Sequence, residues 1–222
     1  MIIFKLANIS FLNHVFLPKC ISVKLAVLGN DESFRELTEM SGCIDWVRAY
    51  SMETLIGYTN ADAFFNLNEN AAAQDYTTLQ QPVFINSVCD IIGNDAHLTR
   101  INGWKGFLKN DTWEIAGNHD EHVIAVLHKL HKKVIVTADV PGFISASVIA
   151  MVINEAYYAK EDDVSTEAEI DVAMKLGTNY PFGPFEWAER IGLKNVYLLL
   201  QTLSKSKAKY TPGPLLKRLA NL

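Results

Sequence analysis

The side chains best suited to binding a metal are four histidines close together in the chain. His119, His122, His128 and His131 lie in a segment whose apolar residues recur at helical spacing. On a helix, residues three apart are neighbours, so the four histidines form two pairs. The pairs are offset by nine residues, which places them on opposite faces, whereas a zinc site needs three or four converging ligands. We therefore expect surface histidines and no metal.

Carboxylates that could act as a general acid and base occur at Asp162, Asp163, Glu167 and Glu169. They lie where helices are predicted to begin, and acidic residues there interact favourably with the helix dipole. We interpret them as a solvated acidic face and not as a catalytic pair.

The overall charge excludes several classes of partner. The 222 residues carry a formal net charge of -5, and a nucleic-acid or anionic-membrane partner would require a basic face. The only basic-leaning stretch, lysines at positions 205, 207 and 209, is interpreted as a solvated helix end. The three cysteines form no CxxC pair, which argues against a zinc or disulfide framework and favours the reducing cytosol.

The first twenty residues are apolar but do not have the pattern of a signal peptide. Polar residues break the run, no basic cluster precedes it and no small-residue cleavage site follows. No segment of the chain reaches the roughly 18 uninterrupted apolar residues of a membrane span. We expect residues 1–20 to be a structural N-terminal extension of a cytoplasmic protein.

The strands and helices predicted along the chain determine where the candidate functional residues lie. Residues 23–28 read as a buried strand followed by a turn at Gly29, and further strands are predicted at 44–49, 63–67 and 82–88. A helix is predicted over 33–40 with Ser33 as its N-cap. Residues 104–107 and 112–116 are candidate edge strands. Strands joined by short helical connections favour an α/β sheet that is largely parallel.

The second half of the chain is predicted to be mostly helical. Residues 119–131 form an amphipathic helix, a strand follows at 134–136, and a long helix runs over 143–160. Thr166 and Glu169 have the spacing of a capping box that opens a helix ending at Gly177. Two more helices are predicted at 185–191 and 193–203. The chain therefore divides into an extension (1–20), an α/β domain (21–138) and an all-α domain (139–222).

Three sequence motifs in the helical part identify a protein family far more specifically than helical periodicity does. They are DVPGFI at 139–144, DVAMKLGTNYPFGPFE at 171–186 and YTPGPLLK at 210–217. They resemble the C-terminal domain of the 3-hydroxyacyl-CoA dehydrogenase family, and their order and spacing also match. The resemblance implies a shortened Rossmann-like parallel sheet followed by this helical domain. It also implies an acyl-CoA substrate, NAD as cofactor and a homodimer formed through the C-terminal helices.

The Gly-rich turn that would bind NAD is absent. The fingerprint needs two glycines one residue apart so that the backbone can approach the pyrophosphate, and none of the twelve glycines is so spaced. Only Gly29 remains as a relic of the cofactor site. Asp31 and Glu32 follow it and place carboxylates where the pyrophosphate would lie. Arg48, at the end of the second predicted strand, could hold a 2′-phosphate.

The catalytic residues that the resemblance implies are also mostly absent. No histidine lies between positions 98 and 118, where the family places its general base, and Lys105 lies near that position. Asn86 stands at the family's Ser position, with Ser87 one residue away and therefore on the other face of the strand. Ala146 stands at the position of the family's helix Asn. Glu114 alone matches a catalytic position, and without a His partner we expect it to orient nothing.

Three hypotheses for the function follow from these residues. The first is a family member of acyl-CoA metabolism that keeps the acyl-CoA cleft and the dimer but has lost hydride transfer, a pseudoenzyme. The second is an active NAD(P)-dependent oxidoreductase on a 3-hydroxyacyl-CoA or small hydroxy acid, with an altered site. The third is a structural subunit without a ligand. The sequence favours the first hypothesis.

Overall fold

A computed structural model describes residues 22–39, 44–69, 71–93, 95 and 97–220. Its first part is a seven-stranded sheet. The strands are β1 (Val23–Leu28), β2 (Ile44–Ala49), β3 (Ala63–Asn66), β4 (Val83–Asn86), β5 (Leu98–Ile101), β6 (Thr112–Gly117) and β7 (Lys133–Val136). The predicted extension, residues 1–20, lies outside the described residues.

The strand order is β2-β1-β3-β4-β5-β6-β7. All neighbouring strands are parallel except β5 and β6, which are antiparallel. The strand order changes direction between β1 and β3, as in doubly wound folds. In such folds ligands bind at this change of direction, beyond the carboxyl ends of the strands. The predicted Rossmann-like, largely parallel sheet is therefore confirmed.

Three helices connect the strands: α1 (Asp31–Thr38), α2 (Met52–Gly57) and α3 (Glu121–Lys129). The prediction that Ser33 caps α1 was wrong. Asn30 is the N-cap, because its backbone is extended and its side chain accepts the Ser33 N–H at 2.8 Å. The helix therefore starts two residues earlier than predicted, directly after the turn at Gly29.

The helical part consists of α4 (Ile144–Glu161), α5 (Glu167–Thr178), α6 (Pro184–Ile191), α7 (Leu193–Ser204) and α8 (Pro214–Leu219). The predicted capping box at Thr166 and Glu169 is present at the start of α5. The predicted stop at Gly177 was wrong: α5 continues to Thr178 and ends on Asn179, whose φ of 56° is left-handed. Asparagine tolerates this conformation better than most residues, so it can serve as a helix end.

Two other predictions of local structure differ from the fold. Residues 104–107 form a turn and not a strand, and Gly106 within it has a φ of 96° that a strand does not use. Strand β6 lies inside the sheet and not at its edge, since β7 covers its outer side. Strand β5 and helices α2 and α8 had no specific prediction.

The two parts share a hydrophobic core. Buried residues of α4, α6, α7 and α8 pack with Trp104 and Phe107 of the turn and with Val88 and Ala116 of the sheet part. Two further clusters cover the two faces of the sheet. The predicted boundary at residue 139 falls in the connection between β7 and α4, and the division into domains remains our interpretation. Among the described residues, no helix combines the length and the apolar character needed to cross a bilayer.

Candidate functional site

The carboxyl edge of β1, β3 and β4 is the position where a doubly wound sheet binds its ligand. Here, cations already neutralise both acids in the first turn of α1. Asp31 pairs with Arg48, and Glu32 Oε1 lies 2.7 Å from Lys105 Nζ. Arg48 is also flanked by the rings of Phe34 and Tyr50, at 4.9 and 5.0 Å. Its guanidinium is therefore engaged by side chains of this edge.

Three carboxylates of the α1 segment hold the turn that follows β5. Besides the Glu32 pair, the carboxylate of Glu36 accepts the N–H groups of Gly106 and Leu108 at 3.0 Å. Glu39 Oε2 lies 2.6 Å from Lys109 Nζ. This bond lowers the pKa of Glu39 and raises that of Lys109. We call Glu32, Glu36 and Glu39 the acidic clamp, since together they fasten residues 105–109 to α1.

The opposite side of the same turn is held by donors. Lys132 Nζ donates to the carbonyls of Leu108 and Asn110 at 3.0 and 2.7 Å, and Trp113 Nε1 donates to Leu108 O at 3.1 Å. Burial lowers the pKa of Lys132. The turn is thus fixed through its N–H groups by a carboxylate and through its carbonyls by an ammonium and an indole.

The space left at the carboxyl edge is small. A cavity of about 140 Å³ remains between α1, the turn after β5 and the start of α7, whereas pockets for small ligands usually measure roughly 300–1,000 Å³. Asn86 Oδ1 accepts the Gly103 N–H at 3.0 Å across it. Asn195 of α7 donates to Glu69 at 3.1 Å and joins the helical part to this edge. These residues do not fit the pyrophosphate of a dinucleotide, because ion-paired side chains occupy the helix start and the space that remains is small.

Glu114 has a partner, so the expectation that it orients nothing was wrong. From β6 it reaches the start of α4, where its oxygens accept the Ser145 N–H at 3.2 and 3.1 Å. Glu114 Oε2 also accepts from Ser145 Oγ at 2.6 Å. The N-cap residue of α4, Phe143, has no capping side chain, and Glu114 supplies that function from a neighbouring strand.

The other residues predicted for the site do not converge on Glu114. Asn86 and Lys105 line the small cavity, whereas Glu114 lines a different one. Lys105 is 40% exposed in its ion pair, which is not the buried setting that a catalytic lysine needs. Ser87 Oγ donates to the carbonyl of Asp90, and Ala146 is buried in the helical core. Gly29 lies at the turn before α1, close to the side chains of Ser33 and Leu67.

The largest of these cavities, about 690 Å³, lies between α1, the turn after β5 and the helical part. We call it the aromatic cavity, because its apolar wall consists of Phe107, Ile149, Tyr180, Pro181, Phe182 and Trp187. Arg190 lies 3.8 Å over the ring of Phe182. In the described part of the chain, no carboxylate lies within ion-pair distance of Arg190 or of Arg35, which also lines the cavity.

The other histidines and carboxylates considered as candidate ligands or catalysts lie at the surface. All four histidines around α3 are exposed, and the described residues contain no group of three side chains able to hold a metal. Glu169 completes the capping box, and its bonds to Ser165 and Thr166 lower its pKa. Glu167 pairs with Lys160.

Sequence reasoning missed Glu36 and Ser145. Glu32, Glu36 and Glu39 are spaced by four and three residues, which predicts one acidic helix face. Nothing in that spacing identifies the partner, which lies about 70 residues away along the chain. No sequence motif or spacing indicated a role for Ser145.

Comparisons with known proteins support the resemblance that the sequence motifs of the helical part indicate. A sequence model of the 3-hydroxyacyl-CoA dehydrogenase C-terminal domain matches residues 142–222. The 3-hydroxyadipyl-CoA dehydrogenase of Escherichia coli K12 is 39% identical over 101 residues, 45% of this chain and 21% of the relative. The 3-hydroxybutyryl-CoA dehydrogenase of Bradyrhizobium diazoefficiens is 43% identical over 90 residues, 40% of this chain and 31% of the relative. The chain thus matches about a fifth to a third of the length of these relatives.

Solved structures extend the similarity to the sheet. The 3-hydroxybutyryl-CoA dehydrogenase of Escherichia coli K12 has a TM-score of 0.54 and is 28% identical, covering 62% of this chain and 31% of its own. FadB2 of M. tuberculosis has a TM-score of 0.66 at 13% identity, covering 89% of this chain and 93% of its own. This second similarity shows the fold alone. Residues 142–222 are therefore a 3-hydroxyacyl-CoA dehydrogenase C-terminal domain, and the chain as a whole shares its fold with FadB2.

Proposed function

We propose that this protein binds an acyl-CoA and does not transfer hydride. The observation that carries the proposal is the acidic clamp, which fastens the turn at 105–109 onto α1 where the cofactor of a doubly wound sheet would lie. Hydride transfer needs a nicotinamide held against the substrate and a general base for its hydroxyl proton. The chain has no two glycines one residue apart, and in the described part of the chain no histidine lines the small cavity at the carboxyl edge or the aromatic cavity.

An acyl-CoA has the chemistry that the aromatic cavity offers. The acyl chain is apolar and matches the wall formed by Phe107, Phe182 and Trp187. The three carboxylates of the acidic clamp also line this cavity, but Glu32 and Glu39 are paired with lysines and Glu36 with backbone N–H groups. The guanidinium groups of Arg35 and Arg190 in the same lining match the anionic phosphates of coenzyme A. Relatives of the helical part are named as dehydrogenases of hydroxyacyl-CoA compounds, which supports the same class of ligand.

A thermal-shift series tests the binding. A ligand at a hundred times its Kd stabilises the native state by about 2.7 kcal/mol, which raises the Tm of a chain of this size by about 5–10 °C. We expect this rise with acetyl-, acetoacetyl- or longer acyl-CoA, and none with NAD or NADP. Arg190→Ala is expected to reduce the acyl-CoA shift, whereas Arg218→Ala, a change at an exposed residue of α8, leaves it unchanged.

An absorbance assay separates the proposal from an active dehydrogenase. We expect no oxidation of NADH in the presence of acetoacetyl-CoA. Turnover of NADH would contradict the proposal and favour an oxidoreductase with an altered site. Absence of any shift with acyl-CoA would favour a structural subunit without a ligand.

We also propose a homodimer formed through the helical part. Helix α5 buries only Asp171, while its Val172 and Leu176 are 51% and 83% exposed. These two residues are four apart and therefore share a face. The resemblance implies a homodimer through the C-terminal helices, and we propose that a second copy of the chain covers this face.

A further inference from the structure

A hydroxyl and a carboxylate meet at the start of α4. Ser145 Oγ donates to Glu114 Oε2 at 2.6 Å, and Asn102 Nδ2 lies 3.5 Å from the same hydroxyl. A carboxylate within about 2.6–3.2 Å is placed to take a proton as a general base. The hydroxyl of Ser145 is therefore hydrogen-bonded to a possible general base, as the hydroxyl of an activated serine nucleophile is.

Ser145 lies between two cavities of different character. It lines the aromatic cavity of about 690 Å³, and it also lines a second cavity of about 210 Å³. The polar lining of the second one comes from Asn102, Asn110, Thr112 and Glu114. The first can hold an acyl chain, and the second offers a water molecule enough room and polar partners beside the carboxylate.

The backbone around Ser145 provides a donor for a developing negative charge. Ala146 is the third residue of α4, a position whose N–H has no carbonyl partner within the helix, and the helix dipole favours an anion there. A backbone N–H of the residue after a nucleophile forms part of the oxyanion hole in many hydrolases. The turn into α4 is fixed by Gly142 and Phe143, whose φ values of 94° and 45° are both positive.

We propose that Ser145 and Glu114 hydrolyse the thioester of an acyl-CoA bound in the aromatic cavity, an inference that rests on the proposed binding. Ser145 Oγ attacks the thioester carbonyl carbon while Glu114 takes its proton. The C–S bond then breaks, the proton passes to the sulfur and coenzyme A leaves as a thiol. The acyl group remains as an ester on Ser145.

Water completes the reaction from the smaller cavity. Glu114 takes a proton from the water, whose oxygen attacks the ester carbon. The bond between that carbon and Ser145 Oγ breaks and the proton returns to the serine. The net change is one thioester and one water converted to a carboxylic acid and a thiol, with no oxidation or reduction.

The release of free thiol from a series of acyl-CoA esters tests the proposal on the full chain. We expect Ser145→Ala to lower the rate at least about 1,000-fold and Glu114→Gln to lower it at least about 100-fold. Ser147→Ala is the matched control, since Ser147 lies two residues further along α4 against Gly142, and it is expected to keep the wild-type rate. Mass spectrometry of the wild type quenched during turnover should show an acyl group on the peptide that contains Ser145, and Ser145→Ala should show none.

A purely structural role makes a different prediction. If Glu114 only caps α4, its substitution lowers the Tm while thiol release by the wild type equals that of Ser145→Ala. This result, together with a thermal shift by acyl-CoA, would overturn the hydrolysis and leave the proposed binding intact. Absence of both the shift and thiol release would overturn both proposals.

Discussion

Glu36 shows how a buried carboxylate is tolerated in this fold. Glu36 is only 6% exposed. Removal of a carboxylate from water is costly unless its oxygens accept hydrogen bonds. The N–H groups of Gly106 and Leu108 provide those bonds. The same contacts decide where the turn after β5 lies, so one side chain of α1 sets the shape of the carboxyl edge.

Replacement of Glu36 by glutamine is expected to lower the free energy of unfolding by about 1–3 kcal/mol. The reason is that the glutamine NH₂ group faces backbone N–H donors where an acceptor is needed. Urea unfolding measures the change. Glu39→Gln is the matched control, because its ion pair with Lys109 is exposed and exposed pairs contribute little. Equal losses in the two variants would contradict the central role of Glu36.

Arg100 and Asp139 form the second residue-scale feature. The Arg100 side chain is 0% exposed, and its Nη1 lies 2.5 Å from Asp139 Oδ1. Arg100 also donates to the carbonyls of Ser87 and Val140. The guanidinium therefore links the sheet to the connection that leads into α4.

Asp139→Asn is expected to destabilise the protein by about 3–5 kcal/mol, since the substitution leaves a buried charge without its counterion. Urea unfolding again gives the change. Asp31→Asn removes a carboxylate that is 80% exposed from Arg48 and should cause a much smaller loss. A small effect at Asp139 would mean that the backbone carbonyls alone satisfy Arg100.

At this scale the sequence predicted absences better than contacts. The missing glycine pair and the missing histidine can be read directly from residue types. The acidic clamp and the bond between Glu114 and Ser145 join residues 31 to 73 positions apart. Local periodicity does not encode such pairings, so the sequence did not indicate that Lys105 forms an ion pair with Glu32.

Among the elements, prediction succeeded where hydrophobic periodicity was strong. The strand at 44–49 and the helices at 185–191 and 193–203 agree with β2, α6 and α7 within one residue. Strand β5 was not predicted because its residues Thr99 and Arg100 are polar, although the structure buries both. Residues 104–107 resembled a strand because Trp104 and Phe107 are apolar, but they belong to the core shared with the helices.

Helix α5 provides a prediction of pH dependence. Hydrogen bonds from Ser165 and Thr166 lower the pKa of Glu169 below its ordinary value of 4.5. The folded state thus holds the carboxylate more tightly than the unfolded state does. The resulting stabilisation is present above pH 4.5 and is lost as the pH falls through the lowered value.

Unfolding midpoints in urea, measured between pH 7 and pH 3, test this contribution. Glu169→Gln should be less stable than the wild type at pH 7, and the difference should shrink as the pH falls below 4.5. Glu53→Gln, in the first turn of α2, is the control for the loss of one negative charge. A constant difference between wild type and Glu169→Gln across the range would contradict the argument.

At the scale of the whole molecule, the sheet and the helices are joined by core packing and by polar bonds. Trp104 and Phe107 lie in the same core as α4, α6 and α7. Asn195 and Glu69 join α7 to the carboxyl edge, and Glu114 joins β6 to α4. No described residue of the chain covers the face of α5 with Val172 and Leu176, which are 51% and 83% exposed.

Leu176→Glu is expected to convert the proposed dimer to a monomer, because the substitution places a charge in an apolar interface. Light scattering coupled to size-exclusion chromatography measures the mass. Thr59→Glu adds the same charge at an exposed position of the sheet part and should leave the mass unchanged. A wild-type monomer, or a Leu176→Glu dimer, would contradict an interface at this face.

The acidic clamp has a consequence for any attempt to engineer cofactor binding into this scaffold. Insertion of a second glycine after β1 would leave the turn at 105–109 tied to α1 through Glu36 and the pairs of Lys105 and Lys109. A substitution that removes one of these contacts leaves the others in place, and Lys132 and Trp113 still bind the carbonyls of the turn. A redesign therefore has to treat α1 and the turn as one unit and replace them together.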